Sequence, residues 1–252
     1  MSEQSSSPLP EFVSRQVTEA RRFFLNLNPD RRSRLEVVCG GVERMRPDYI
    51  VQRQDFPYFA VEVVAEGAGV LTINGTEYLL SAGSVFAYGP RAPHTIRNNS
   101  ENGMRKYYVD FVGTGATRLL QQAGLLELKD RYQLLVVGAL HEVTELFEML
   151  IRDGSDGGSE AASICESLTH LMMQKIRQRR LPAGAALPQS YSTYERVRRH
   201  IENNFLDLHT ARDVADACSV TPVYLSRLFG RFSDEGAYQY LMRRRMNFAA
   251  GL

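Results

Sequence analysis

Residues 211–229 read Ala211-Arg-Asp-Val-Ala-Asp-Ala-Cys-Ser-Val-Thr-Pro-Val-Tyr-Leu-Ser-Arg-Leu-Phe229, and Tyr240-Leu-Met-Arg-Arg-Arg-Met246 and Ala249-Ala250 follow. Ala211, Val214, Ala215 and Cys218 recur at i, i+3, i+4 and i+7, which marks the inner face of a short helix. Small Ala215 lets a second helix cross closely. That helix has its own start signal: Thr221 can cap the free backbone N–H groups, and Pro222 fits the first helical position, where a missing N–H costs nothing. Val220, Leu225, Leu228 and Phe229 make its core side. Val223, Ser226, Arg227 and Gly230 make its outer side, the geometry of a recognition helix laid into a major groove.

A capped helix pair alone also describes a plain αα-hairpin. The longer run Tyr224-Leu-Ser-Arg-Leu-Phe229, Tyr240-Leu241, Arg245-Met246 and Ala249 resembles the first helix-turn-helix and linker helix of the AraC/XylS family of bacterial transcription regulators, in register over residues 191–252. The resemblance implies two such helix pairs per subunit. Here the second is expected to be missing, because the chain stops at Gly251-Leu252 where the family continues into another recognition helix. Ser219 stands at the turn position usually held by Gly, where a positive φ costs Ser about 1 kcal/mol.

The 252 residues are 44% hydrophobic, with no apolar run long enough to span a bilayer and no signal-peptide pattern at the start, which predicts a soluble cytoplasmic protein with no membrane association. Cys39, Cys165 and Cys218 are far apart in apolar surroundings and read as buried free thiols. The net charge of +1 gives no general attraction to polyanions, so affinity for DNA must come from local clustering. Residues 191–252 hold nine Arg against seven acidic residues, a small excess for a stand-alone DNA binder.

Upstream, residues 2–10 are polar and proline-bearing and read as a mobile start. Residues 16–27 read as a short helix. From Arg34 the texture becomes β, with runs at 49–51, 60–64, 69–73, 78–80, 85–88, 95–97 and 107–111 separated by Gly and Pro. Asn74-Gly75 between alternating runs signals a type I′ hairpin. Many short strands at regular spacing predict an antiparallel barrel or jelly roll.

Gly83-Ser-Val-Phe-Ala-Tyr-Gly-Pro-Arg-Ala-Pro-His94 resembles the second half of a cupin signature, and a cupin-like barrel is what AraC-type regulators carry at their N-terminus. Cupin enzymes hold a metal through His-x-His, Glu and a later His. Nothing of that kind lies between Glu62 and Thr72, and His94 is the only His in the β region, so no metal or other cofactor and no catalytic residues are expected. Period-2 alternation and the resemblance place Glu62, Val64 and Glu66 on one inner face, His94 and Ile96 on another, and Lys106, Tyr108 and Asp110 on a third. The expected ligand-binding residues are Glu62, Glu66, His94, Ile96, Lys106 and Tyr108. The family's arabinose-binding member has Arg where this chain has Glu66 and a stacking Trp where it has Tyr108. Arabinose is therefore not the expected effector, and a different sugar or polyol stacking on Tyr108 is a candidate. The competing view has Glu62, Lys106 and Asp110 facing solvent or paired in salt bridges of a filled barrel.

Residues 138–153 and 160–178 carry helical periodicity, with stripes Val143, Leu146, Phe147, Leu150 and Ile164, Leu168, Leu171, Met172, Ile176. A flexible turn at 153–158 joins them. The resemblance implies a homodimer through these helices, with Val143, Leu146, Leu150, Leu168, Leu171 and Met172 at the interface. Lys175, Arg177, Arg179 and Arg180 read as a solvated helix end.

The resulting expectation is an α+β chain: a cupin-like antiparallel β-barrel with a helical hairpin over 1–180, a linker at 181–190, and a truncated all-α helix-turn-helix domain over 191–252. It implies a ligand-responsive regulator that is not an enzyme and that binds promoter DNA, a small-molecule effector, a second copy of itself and, as a further candidate, RNA polymerase. Val223, Ser226 and Arg227 are the expected base contacts. Arg212, Tyr224 and Arg231 are the expected phosphate contacts. The alternatives are a cupin-type sugar-modifying metalloenzyme and a non-DNA-binding dimerisation antagonist.

Overall fold

Asn74 and Gly75 take φ of 53° and 71°, the left-handed pair a type I′ turn requires, in the computed structural model, which describes residues 10, 12–101, 103–129, 131–233 and 235–250. The polar start expected at 2–10 lies, apart from Pro10, outside the described residues. The chain divides into two units, Met1–Ala186 and Leu187–Leu252.

The strands of the first unit are β1 (Val17–Phe24), β2 (Glu36–Met45), β3 (Ile50–Arg53), β4 (Phe59–Glu66), β5 (Ala68–Ile73), β6 (Thr76–Ser81), β7 (Ser84–Tyr88), β8 (His94–Asn98) and β9 (Arg105–Val112). Helix α1 (Ala116–Ala123), three short strands, β10 (Leu126–Glu127), β11 (Arg131–Tyr132) and β12 (Leu134–Val136), and helices α2 (Leu140–Asp156) and α3 (Ala161–Arg179) follow. One antiparallel sheet runs β1-β2-β9-β4-β7-β12 and the other β3-β8-β5-β6. Their inward residues share one core, seen where Tyr88 of β7 stacks on His94 of β8 with centroids 3.9 Å apart. The seven strand runs read from alternation correspond to β3 through β9.

Residues 16–27 are not helical. They form β1, paired with β2 so that Phe23 lies opposite Gly40. Val17, Thr18, Phe23 and Phe24 suit a strand, and Phe23 is buried against two glycines: a Cβ on Gly40 or Gly154 would meet its ring at 2.8 or 2.4 Å. Helix α2 continues past residue 153 to Asp156, and the missing side chain at Gly154 is what lets Phe23 rest on it. The turn expected at 153–158 is accordingly shorter, with Gly157 as a left-handed cap at φ 64°.

One irregularity governs the site. Between Val64 and Glu66 the pairing of β4 with β9 shifts by a bulge: Val64 lies opposite Lys106, and Glu66 lies opposite Arg105. Paired residues share a face and neighbours along a strand alternate. Glu66 is therefore on the outer face with Arg105, while Glu62 and Val64 face inward with Tyr108 and Lys106.

In the second unit, α4 (Gln189–Asn204), α5 (Ala211–Ala217), α6 (Pro222–Phe232) and α7 (Ala237–Ala250) pack around Tyr191, Tyr194, Val197, Ile201, Val214, Ala215, Leu225, Leu228, Phe229 and Leu241. Thr210 and Asp213 form a capping box on α5, and Thr221 accepts from the Tyr224 N–H to cap α6. Ser219 between them takes φ 54°.

Candidate functional site

The barrel interior holds a chain of buried polar groups. Glu62 of β4 accepts from Lys106 Nζ at 2.7 Å and from the Tyr88 hydroxyl at 2.6 Å. Tyr88 in turn accepts from Arg53 Nη1 at 3.2 Å. Arg22 and Glu43 form a second pair at 2.7 Å. Asp110 accepts from the Cys39 thiol at 3.3 Å through Oδ2. Cys39, Cys165 and Cys218 are all buried free thiols.

The charge states follow from burial. Asp110 is pushed up to about 7 by burial, with Glu62 adding to the rise and the Cys39 hydrogen bond, Arg53 and Lys106 opposing it. Burial works against the Lys106 charge, yet the Glu62 carboxylate holds its pKa above the ordinary lysine value. His94 is lowered by burial, so the ring is neutral near pH 7. Its Nδ1 lies 2.8 Å from the Ala92 carbonyl, which assigns the proton to Nδ1 and leaves Nε2 an acceptor. That nitrogen, the Tyr108 hydroxyl and Asp110 Oδ1 are buried without a hydrogen-bond partner among the described residues.

Phe12, Val13 and Ser14 close over this interior. Arg53 Nη2 donates to the Phe12 carbonyl at 2.5 Å, Arg22 Nη2 donates to the Ser14 carbonyl at 3.0 Å, and the Phe12 ring sets edge-on to Phe56 and Tyr58. With that segment in place the cavity is about 20 Å³, room for about one water. The interior is thus nearly filled, with Glu62 and Lys106 in an ion pair and Asp110 in none among the described residues, and it carries polar atoms that no described residue satisfies.

Of the six expected ligand residues, Glu62, Lys106 and Tyr108 line this cavity. His94 lies one layer behind, stacked on Tyr88. Ile96 is a fully buried core residue between Val51 and Leu71. Glu66 is outside: the bulge turns it to Arg44 at 2.9 Å and Arg105 at 3.2 Å. The sequence reading missed Arg53, Tyr49, Tyr88 and Glu43, which line the cavity with Asp110. Among the described residues no group of three His, Cys, Asp or Glu side chains is placed to hold a metal ion.

In the second unit, Val223 is 70% exposed and Ser226, Arg227 and Gly230 are exposed with it, one outward face of α6. Arg212 and Arg231 are exposed and Tyr224 is half-buried. In the helical hairpin, Val143, Leu146, Leu150, Leu168 and Met172 are buried, and Leu171 alone of the expected interface set is exposed, at 41%. The other five are consumed by packing of α2 and α3 on each other and on the sheet. Leu171 shares its outward position with Ile164, seven residues earlier. Lys175 and Arg179 reach Glu142 on α2 at 2.8 and 2.5 Å, so this end of α3 is clamped rather than only solvated. Among the described residues no helix is long and apolar enough to cross a membrane.

Among solved structures, the chain is similar to the AraC-like transcriptional activator CuxR, with 14% identity, 85% of this chain and 76% of that chain covered, and a TM-score of 0.41. It is also similar to the plu4264 protein from Photorhabdus luminescens, with 14% identity, 42% and 82% covered and a TM-score of 0.31. A predicted oxalate decarboxylase from Thermotoga maritima shows 18% identity, 30% and 67% covered and a TM-score of 0.29. No curated protein sequence matches the chain. The family described as the AraC-like ligand binding domain matches residues 39–173, from the inward Cys39 of β2 to α3, a range that holds Glu62, Lys106, Tyr108 and Asp110 but not Arg22 or residues 12–14. The chain belongs to the AraC-like ligand-binding family.

Proposed function

We propose that the chain is a ligand-responsive transcription regulator and not an enzyme. A small-molecule effector enters the barrel, and the exposed face of α6 reads promoter DNA. The observation that carries the effector half is the pair of cavity-lining polar atoms, Tyr108 Oη and Asp110 Oδ1, that have no hydrogen-bond partner among the described residues, in a barrel core that apolar residues would fill at lower cost. A polar ligand satisfies such atoms; a purely structural core has no use for them. For the DNA half, Arg227 suits bidentate contact to guanine, Val223 a thymine methyl, and Ser226 either partner. Arg212, Tyr224 and Arg231 hold phosphates and so position without specifying.

A homodimer places two α6 faces on successive half-sites, with Leu171 and Ile164 of α3 as the outward contacts. The effector binds one arrangement of that dimer better than the other, and this difference is the signal. RNA polymerase is the further partner of such a regulator.

Selection from a random DNA library, with sequencing of the bound fraction at several salt concentrations, tests the DNA half: an enriched half-site with a steep salt slope supports it. Arg227→Ala is expected to relax preference at one base pair at a cost of about 1–3 kcal/mol. No enrichment by either protein removes the DNA-reading role.

A further inference from the structure

The cations that reach the barrel interior, buried Lys106 and half-buried Arg22 and Arg53, are unequally served. Lys106 has Glu62 and Arg22 has Glu43, each at 2.7 Å. Arg53 has no carboxylate in an ion pair among the described residues; its two hydrogen bonds go to the neutral Tyr88 hydroxyl and to the Phe12 backbone carbonyl, and its guanidinium lies 4.7 Å from the centre of the Phe56 ring. A guanidinium carries five N–H donors in a planar fork matched to a carboxylate. Glu62 and Asp110 lie near enough to favour its charge, but among the described residues neither meets the fork, whose hydrogen bonds go to uncharged oxygens, so a ligand carboxylate has a place there. The acid near it without an ion pair among the described residues is Asp110, whose tie is to the Cys39 thiol.

Two further atoms of the same cavity want partners. The Tyr108 hydroxyl and Asp110 Oδ1 are buried with no hydrogen-bond partner among the described residues, and both residues line the cavity with Arg53. They ask for ligand hydroxyls, which both donate and accept. The Phe12 carbonyl meanwhile holds the place on Arg53 Nη2 that a ligand oxygen would take.

We infer that the effector is a small hydroxylated monocarboxylate, its carboxylate on Arg53 in place of the Phe12 carbonyl and its hydroxyls on Tyr108 and Asp110. This rests on the sensor reading above and narrows it: the effector is an acid of the polyol or sugar class and not its neutral counterpart. Residues 12–14 shift to admit it, since the closed cavity holds about one water.

The test is calorimetric titration of the full chain with two matched pairs, D-glycerate against glycerol and D-glucuronate against D-glucose. The expected result is binding of an acid, with its neutral partner at least about tenfold weaker, and a loss of about tenfold or more for the acid in Arg53→Gln. Arg53→Lys, which keeps the charge and loses the fork, falls between. Thermal melts of the variants separate recognition from structure: a variant that has lost the acid but melts near the parent has lost recognition and not its fold. A neutral compound that binds as tightly as its acid, with Arg53→Gln unaffected, overturns the carboxylate inference and leaves the sensor reading standing. No heat with any of the four also overturns the inference. The sensor reading falls separately, if no compound in a melting-temperature screen of neutral and cationic molecules shifts the midpoint.

Discussion

Lys106 Nζ and Glu62 Oε2 meet at 2.7 Å with both side chains almost fully buried, and Glu62 spends its other oxygen on Tyr88. A buried pair of this kind is sensitive to the loss of one member and tolerant of the loss of both. Lys106→Met is expected to destabilise the fold by about 3–5 kcal/mol in urea titration. The double variant Glu62→Leu with Lys106→Met recovers a large part of that loss, although Tyr88 loses its acceptor. Strict additivity of the two single effects would sink this account.

Asp110 gives the first unit a pH signature opposite to that of an ordinary salt-bridged acid. Its folded value of about 7 lies above the ordinary 3.8, so between those values the folded state binds the proton and the unfolded chain does not. Stability from this group is present below about pH 4 and is lost as pH rises to about 7, with no further change above. Cys39 and Glu43 on β2, Arg53 on β3, Glu62 on β4, Tyr88 on β7, and Lys106 and Tyr108 on its own strand share its surroundings. The measurement is the stability difference between the parent and Asp110→Asn across pH 4–8, which should shrink with rising pH by a few kcal/mol. A flat difference would show that Asp110 is ionised throughout.

Ser219 sits at φ 54° between α5 and α6, a region that favours glycine. Ser219→Gly is expected to stabilise the second unit by up to about 1 kcal/mol, the relieved strain being partly offset by greater freedom in the unfolded chain. Differential scanning calorimetry on the two proteins reads this as a rise in the transition of that unit.

Leu171 is expected to matter for assembly and not for folding. Leu171→Asp should leave the melting transition of the first unit unchanged at low protein concentration and shift sedimentation-velocity profiles toward monomer. By contrast Leu150→Asp, at a fully buried position, should unfold the unit. A parent protein that sediments as a monomer at every concentration removes the dimer from the proposal.

The strands over 49–111 were legible because side chains alternate with period 2, and the α5–α6 turn because capping residues and apolar spacing agree at every position. β1 was not legible, because an edge strand exposed along Thr18–Arg21 shows no alternation and its single anchor, Phe23, depends on glycines elsewhere in the chain. Glu66 was misplaced because one inserted residue reverses the parity of everything after it, and nothing local announces the bulge. Arg53 was passed over because Val51-Gln-Arg-Gln54 looks like surface, although alternation from Val51 puts Arg53 on the inward face. α4 went unread although Tyr191, Tyr194, Val197 and Ile201 carry helical spacing, because basic and polar residues separate them. The α2 stripe is buried throughout, whereas Ile164 and Leu171 of the α3 stripe face outward; periodicity tells only that a face is apolar, and here the chain's own packing covers most of it.

Because Glu66 is turned outward by the bulge in β4, strand β9 is gripped from both sides at adjacent residues. Inside, Lys106 is held by Glu62. Outside, Arg105 is held by Glu66, and Tyr107 donates to Glu148 of α2 at 2.6 Å, which Arg21 also holds at 2.7 Å. A single peptide unit thus separates the inner anchor from the outer one, so one short stretch of β9 ties the polar interior of the barrel to the outer face of the sheet and to α2.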